Sequence, residues 1–119
     1  MKPNVYVVNN SGHNIEDARR FGDIIHLSDG PHSRYATNNI YRQFKPILEA
    51  SEPDDYLLLT GLTVMNVVAA SILVLIHGRL NLLIHRPKDN TYVWRELDMS
   101  DLQQKSVEEL LKSIKGDTE

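Results

Sequence analysis

A run of 20 residues without a charged side chain, from Leu57 to Ile76, constrains the fold of this 119-residue chain more than any other feature. About 20 apolar residues wound as a helix can cross a bilayer, so the length of the run alone permits a membrane span. The segment TGLT at residues 60–63 interrupts the run, however, and Asn66 near its middle would need a polar partner inside lipid. We therefore interpret the run as a buried strand, a tight turn and a buried helix, with the span as the alternative.

The composition is that of one ordinary globular domain. Apolar residues make up 41% of the chain and charged residues 24%, and a chain of this length can bury a single core. Cysteine is absent, which excludes disulfides and thiolate metal sites, and the five histidines lack metal-ligand spacing. We therefore predict no metal site and no cofactor.

The net charge of the chain and its first residues indicate where the protein acts and what it can bind. The opening MKPNVYVV lacks the basic region and apolar stretch of a secretory signal, so we expect a cytoplasmic protein without a membrane anchor. A net charge of -3 and a pI near 5.9 argue against binding to duplex nucleic acid, which needs a clustered basic face.

Strand and helix patterns alternate along the chain. Residue preferences and periodicity predict strands over 5–8, 23–27, 55–59, 80–84 and 91–94, and helices over 15–21, 40–50 and 64–76. Pro46 should kink or shorten the second helix, and Gly78 suits a left-handed position that ends the third.

This alternation predicts an α/β fold: a small Rossmann-like, mostly parallel sheet of about five strands with right-handed crossovers. The last two strands form a C-terminal β-hairpin that adds an antiparallel edge. We expect this domain to span residues 1–97. A charged tail at 98–119 should contain a helix over about 106–114, with Ser106 at its start.

Ligands of open parallel sheets bind at the carboxyl ends of the strands, where the connecting loops meet. Those loops are rich in hydroxyls, small residues and guanidinium groups, a mixture suited to phosphate and ribose oxygens. The predicted ligand-binding residues in them are Asn9, Asn10, Gly12, Asp29, Ser33, Arg34, Thr60, Gly61, Thr63 and Arg86.

Gly61 has two interpretations. It can let the backbone approach a ligand, with a phosphate held by free amides at the start of the following helix. Alternatively, Gly61 permits a sharp turn while Thr60 or Thr63 caps the helix, with nothing bound.

The segment NSGH at residues 10–13 is a candidate catalytic loop. His13 beside Ser11 could serve as a general acid or base in metal-independent phosphodiester cleavage. The sequence identifies no carboxylate that orients His13, although Asp29 from the neighbouring loop could reach it. Neither a Walker loop nor a GxGxxG motif occurs, and we favour binding over catalysis.

The strand DYLLL, the turn TGLT, Met65 and an alanine-containing apolar helix followed by Gly78 resemble the end of a CARF domain, the CRISPR-associated Rossmann fold. The resemblance covers residues 55–97, and Leu62 stands where that family has a second glycine. It implies binding of cyclic oligoadenylates across a homodimer, with Thr60, Gly61, Thr63 and Met65 at the ligand. A standalone domain of this kind would act as a sensor, a sequestering protein or a ring nuclease. The NSGH and DDYLLLTG segments are also similar to small phage proteins without assigned function. A phage-encoded protein that sequesters or cleaves the messenger would have an anti-defence role.

Three functions therefore remain in view. The first is binding of a nucleotide or cyclic oligonucleotide, and the second is a non-enzymatic structural or interaction role, as a virion component or as an inhibitor docked on a larger protein. The third is binding of single-stranded nucleic acid through basic and aromatic side chains. Those side chains are Arg34, Arg42, Arg86 and Lys88, with Tyr35, Tyr41 and Tyr92 as stacking faces.

Overall fold

A computed structural model of the protein describes residues 2–10, 12 and 14–117, with side chains up to residue 115. Within these residues, one sheet has the strand order β2-β1-β3-β4-β5. The strands are β1 (Asn4–Val7), β2 (Asp23–His26), β3 (Tyr56–Leu58), β4 (Arg79–Arg86) and β5 (Thr91–Asp98). The first four strands are parallel, and β5 pairs antiparallel with β4. The predicted α/β class and its C-terminal hairpin are confirmed, although the hairpin is longer than predicted.

Helices occupy the crossovers and the C-terminal end. They are a 3-10 helix (Glu16–Arg20), α1 (Thr37–Glu49), α2 (Thr63–His77) and α3 (Ser100–Asp117). The helix predicted over 15–21 is thus a short 3-10 helix, in which the side chain of Asn14 accepts a hydrogen bond from the Glu16 amide at 3.1 Å. The predicted shortening of α1 is wrong, because the helix continues through Pro46 to Glu49.

The C-terminal helix starts earlier than the sequence predicts. The carboxylate of Asp98 accepts a hydrogen bond from the Ser100 amide at 3.0 Å, and α3 begins at that residue. Ser106, the predicted start, lies inside the helix, with its hydroxyl bonded to the Leu102 carbonyl at 3.3 Å. The helical tail is therefore longer than its charge pattern suggested.

The central strands β1 and β3 are buried on both faces of the sheet, since successive side chains of a strand point to opposite sides. On one face Tyr6 and Leu57 pack with Phe44 of α1 and with α2. On the other face Val5 and Val7 pack with the 3-10 helix. Buried parallel strands of this kind read as continuous apolar runs, which is why their sequences gave a clear signal.

The uncharged run at 57–76 divides into β3, a turn and α2, so the interpretation as strand, turn and helix is confirmed. Gly78 ends α2 in the left-handed conformation, with φ of 71°, as predicted. Among the residues that the structure describes, no helix has the length and apolar character needed to cross a membrane.

Candidate functional site

A cleft of about 480 Å³ opens at the carboxyl ends of β1, β3 and β4. From β1 the chain crosses to β2 on one side of β1, and from β2 it crosses back to β3 on the other side. The switch point of the doubly wound sheet therefore lies between β1 and β3. Crevices at this position are where such sheets bind ligands, and the volume lies within the range of about 300–1,000 Å³ found for small-molecule sites. The cleft therefore lies at the edge of the sheet where the carboxyl ends of the parallel strands were expected to present a ligand site.

The lining combines an apolar floor with neutral polar groups. The floor includes Val7, Ile15 and Leu58. The polar groups are the carboxamides of Asn9, Asn10, Asn14 and Asn90, the imidazoles of His26 and His85, the hydroxyl of Thr60 and the Tyr92 ring. Among the described residues of the lining, none is Asp, Glu, Lys or Arg. The cleft is thus suited to neutral hydrogen-bonding groups and aromatic surfaces.

Asn9 fixes the loop that follows β1. Its side-chain amide donates to the Ser28 hydroxyl and to the Gly30 carbonyl, both at 2.9 Å. Ser28 in turn donates to the Val8 carbonyl at 2.6 Å, and the Asn10 amide donates to the Ser28 carbonyl at 2.9 Å. Because both amide hydrogens of Asn9 are used internally, Asn9 positions the loop, and the exposed side chain of Asn10 remains at the mouth of the cleft.

The turn between β3 and α2 is held by Asn66. Its side-chain amide donates to the Thr60 carbonyl at 2.7 Å, and its side-chain oxygen accepts from the Thr60 hydroxyl at 3.3 Å. Neither Thr60 nor Thr63 forms a side-chain cap within α2, and the Thr63 amide donates to the Gly61 carbonyl. The Thr60 hydroxyl accepts from the Leu62 amide at 3.1 Å, one residue before the helix starts. Asn66, which sequence reasoning used only against a membrane span, is therefore the residue that shapes this wall.

Gly61 is not required by the backbone geometry of this turn. Its φ lies outside the left-handed region, and a Cβ added there would meet no atom within 4 Å. Because Gly61 also lines the cleft, a larger side chain at this position would occupy space open to a ligand without disturbing the core.

The hairpin forms a wall of the cleft from residues that were not among the predicted ligand-binding set, although Tyr92 was named as a stacking face for single-stranded nucleic acid. His85 and Tyr92 are register partners, and their ring centroids lie 5.4 Å apart. Nε2 of His85 lies 2.8 Å from the side-chain oxygen of Asn90. That oxygen can only accept, so Nε2 donates to it in this contact. Burial, with a further contribution from Asp17, raises the pKa of Tyr92, so its hydroxyl remains a donor at neutral pH.

Arg86, a predicted phosphate ligand, is engaged elsewhere. Its guanidinium binds both oxygens of Asp89 in the hairpin turn, at 2.8 and 3.1 Å. These hydrogen bonds, together with one from Thr91, lower the pKa of Asp89 to about 2. Arg86 is therefore not among the residues that line the cleft.

The remaining predicted residues also lie outside the lining. Asp29 forms an isolated bridge with Asn10 next to the cleft. The Ser33 hydroxyl accepts from the Tyr35 amide, and the Arg34 guanidinium lies 5.2 Å from the Tyr35 ring, both on the surface.

Thr63 is exposed at the start of α2, and Met65 is buried in the core. The cleft thus brings together Asn9, Asn10, Gly12, Thr60 and Gly61 from the predicted set.

Ser11 and His13, the predicted catalytic pair, lie outside the described residues. Their neighbours Asn10, Gly12 and Asn14 line the cleft. Within the described part of the chain, no group of three or more His, Asp or Glu side chains is arranged to hold a metal ion.

A contact between a serine and a histidine lies away from the cleft, where the residues after α1 meet the end of α2. The Ser51 hydroxyl donates to the Leu48 carbonyl at 2.5 Å and lies 2.8 Å from Nε2 of His77. Since its hydrogen is committed to a carbonyl, Ser51 is not activated as a nucleophile, and the contact is structural.

Fold and cleft together define a small doubly wound α/β protein with a neutral polar crevice at its switch point. The chain belongs to the Phage Pam3 gp32-like protein family, whose model matches residues 3–99. No curated protein and no solved structure matched the chain significantly.

Proposed function

We propose that the protein binds a nucleotide or cyclic oligonucleotide in the cleft at the carboxyl ends of the strands. The observation that carries this proposal is the position of the cleft at the switch point, combined with its lining of carboxamides, imidazoles and one aromatic ring. The absence of charged side chains from the described lining favours the base and ribose as the groups held inside it.

The chemistry of the lining supports recognition of a base. Carboxamides such as those of Asn10 and Asn90 both donate and accept, which matches the edge of adenine. The exposed ring of His85 provides a surface on which a base can pack, and the buried ring of Tyr92 lies against it. The phosphate would then lie toward the Gly61 turn, where Gly61 is exposed and a Cβ would meet no atom within 4 Å.

The resemblance to CARF domains supports a cyclic oligoadenylate as the form of this ligand. Two of the positions that carry the resemblance, Thr60 and Gly61, line the cleft, whereas Met65 is in the core. The protein would then sense or sequester the messenger, and membership of a phage family is compatible with an anti-defence role. Cleavage would require Ser11 and His13 and is an extension of this proposal.

Calorimetry and thermal shift with adenosine monophosphate and cyclic oligoadenylates test the proposal. A ligand that binds the folded state alone raises the melting temperature. Gly61→Val should weaken binding at least about tenfold, equivalent to about 1.4 kcal/mol, with Gly61→Ala in between. Both variants should fold normally, because a Cβ at this position meets nothing.

Ser71→Val provides the matched control, because Ser71 is exposed on α2 and is not among the lining residues. It should bind like the wild-type protein. The proposal fails if no nucleotide raises the melting temperature, or if Gly61→Val retains wild-type affinity.

A second candidate is the interaction protein, and one observation favours it. Several large apolar side chains of α3 are more than half exposed. If none of the nucleotides raises the melting temperature, the interaction role replaces nucleotide binding as the proposed function.

A further inference from the structure

An apolar stripe runs along α3. It consists of Val107, Leu110, Leu111 and Ile114, spaced at i, i+3, i+4 and i+7, so the four side chains lie on one face of the helix. Their exposed fractions are between 54 and 62%. A contiguous apolar surface of this kind on a helix marks an interaction site.

The stripe begins where α3 leaves the rest of the molecule. The Met99 amide donates to the Gly78 carbonyl at 2.8 Å, and the Gln103 side chain donates to the Leu75 carbonyl at 3.2 Å. Gln103 lies on the same face as the stripe, one turn before Val107. Beyond it, every described side chain to residue 115 is exposed, and the molecule measures 59 Å along its longest axis against 29 and 27 Å across. The described part of the chain therefore does not cover the stripe.

We propose that the stripe is covered by α3 of a second copy of this chain, packed antiparallel. A two-fold axis between Leu110 and Leu111 places Leu110 opposite the second copy's Leu111, and Val107 opposite the second copy's Ile114. The four-residue pattern is thus complementary to itself, which is the requirement for an isologous dimer.

The charges beside the stripe favour the antiparallel direction. Glu108 and Lys115 lie seven residues apart and border the same side of the stripe, whereas Ser106 and Ser113 border the other side. Antiparallel packing brings like sides together, so Glu108 of each copy meets the second copy's Lys115. Parallel packing would set these charges against the serines. Antiparallel helix dipoles add to the preference.

The size of the contact sets its strength. An 18-residue helix is about 27 Å long. Four apolar side chains from each copy of such a helix bury a smaller surface area than the roughly 1,200–2,000 Å² of a standard stable interface. The dimer should therefore dissociate on dilution. The proposed dimer contact lies at the opposite end of the sheet from the cleft. The dimer proposal therefore does not depend on nucleotide binding.

Sedimentation equilibrium of the full chain over a wide concentration range tests the proposal. The wild-type protein should pass from monomer to dimer as its concentration rises, and Leu110→Glu should remain monomeric. Because α3 lies outside the core, this variant should keep the thermal stability of the wild-type domain.

Charge reversal distinguishes the proposed partner from any other. Glu108→Lys and Lys115→Glu should each weaken the dimer, and the double variant should restore it, since each single change sets like charges side by side. Lys112→Glu, an equal change on the opposite face, should leave the dimer unchanged. The proposal is overturned by a wild-type protein that stays monomeric or forms only larger assemblies, or by a double variant no stronger than the single ones.

Discussion

A single buried carboxylate, Asp55, organises the amino-terminal edge of the sheet. One of its oxygens accepts from the Asn4 amide at 2.9 Å, and the other accepts from the Glu52 amide at 2.8 Å and the Tyr6 hydroxyl at 3.3 Å. Asp55 is only 9% exposed. Burial, together with the charge of Asp55, raises the pKa of Tyr6, so this hydroxyl remains a donor at neutral pH.

Asp55→Ala should lower the free energy of unfolding by about 2–4 kcal/mol, because it leaves the buried Tyr6 hydroxyl and two part-buried amides without their acceptor. Asp54→Ala is the control. The Asp54 side chain is 83% exposed and has one ion-pair contact, at 3.7 Å from Arg79, so its loss should change stability by less than about 0.5 kcal/mol. Urea denaturation measures both, and equal effects would contradict the role given to Asp55.

At the scale of elements, the 3-10 helix acts as a partner for the edge strand β5. The Asp17 carboxylate accepts from the Tyr92 amide, and the Arg20 guanidinium donates to the Tyr92 carbonyl, each at 2.7 Å. The first of these bonds, and then Arg20, lower the pKa of Asp17. The two side chains satisfy backbone groups that an exposed edge would offer to other chains, and they fix Tyr92 beside the cleft.

Asp17→Ala should therefore make the Tyr92 amide exchange with solvent at least about tenfold faster, since local opening at this edge becomes easier. Hydrogen exchange followed by NMR measures the rate. Glu16→Ala is matched to it, because Glu16 starts the same helix but pairs only with exposed Arg19 among the described contacts. An unchanged rate for Tyr92 in Asp17→Ala would show that the strand edge is protected by another means.

The elements that sequence predicted well are those with a local physical signal. Such signals depend only on neighbours in sequence, and they include the apolar runs, the break at Gly61 and the stop at Gly78. They predicted the sheet and the Thr60 side of the cleft. The opposite wall depends on the register of His85 with Tyr92, which only hairpin pairing determines. Arg86 looked like a phosphate ligand because its binding to Asp89 depends on the conformation of the turn.

At the scale of the whole molecule, the two candidate interaction sites lie at opposite ends of the sheet. The cleft is at the carboxyl ends of the parallel strands, and α3 starts from Asp98, the register partner of Arg79 at the amino end of β4. The family match ends at residue 99, just before α3. Ligand binding and assembly should therefore respond independently to mutation.

NMR titration of the backbone amides is the most direct test of the proposal that the cleft binds a nucleotide. Addition of a cyclic oligoadenylate or adenosine monophosphate should shift the amides of Asn10, Gly61, His85 and Asn90 together and saturably, while those of α3 stay unchanged. Absence of shifts at saturating nucleotide, or shifts confined to α3, would show that the cleft does not bind nucleotides.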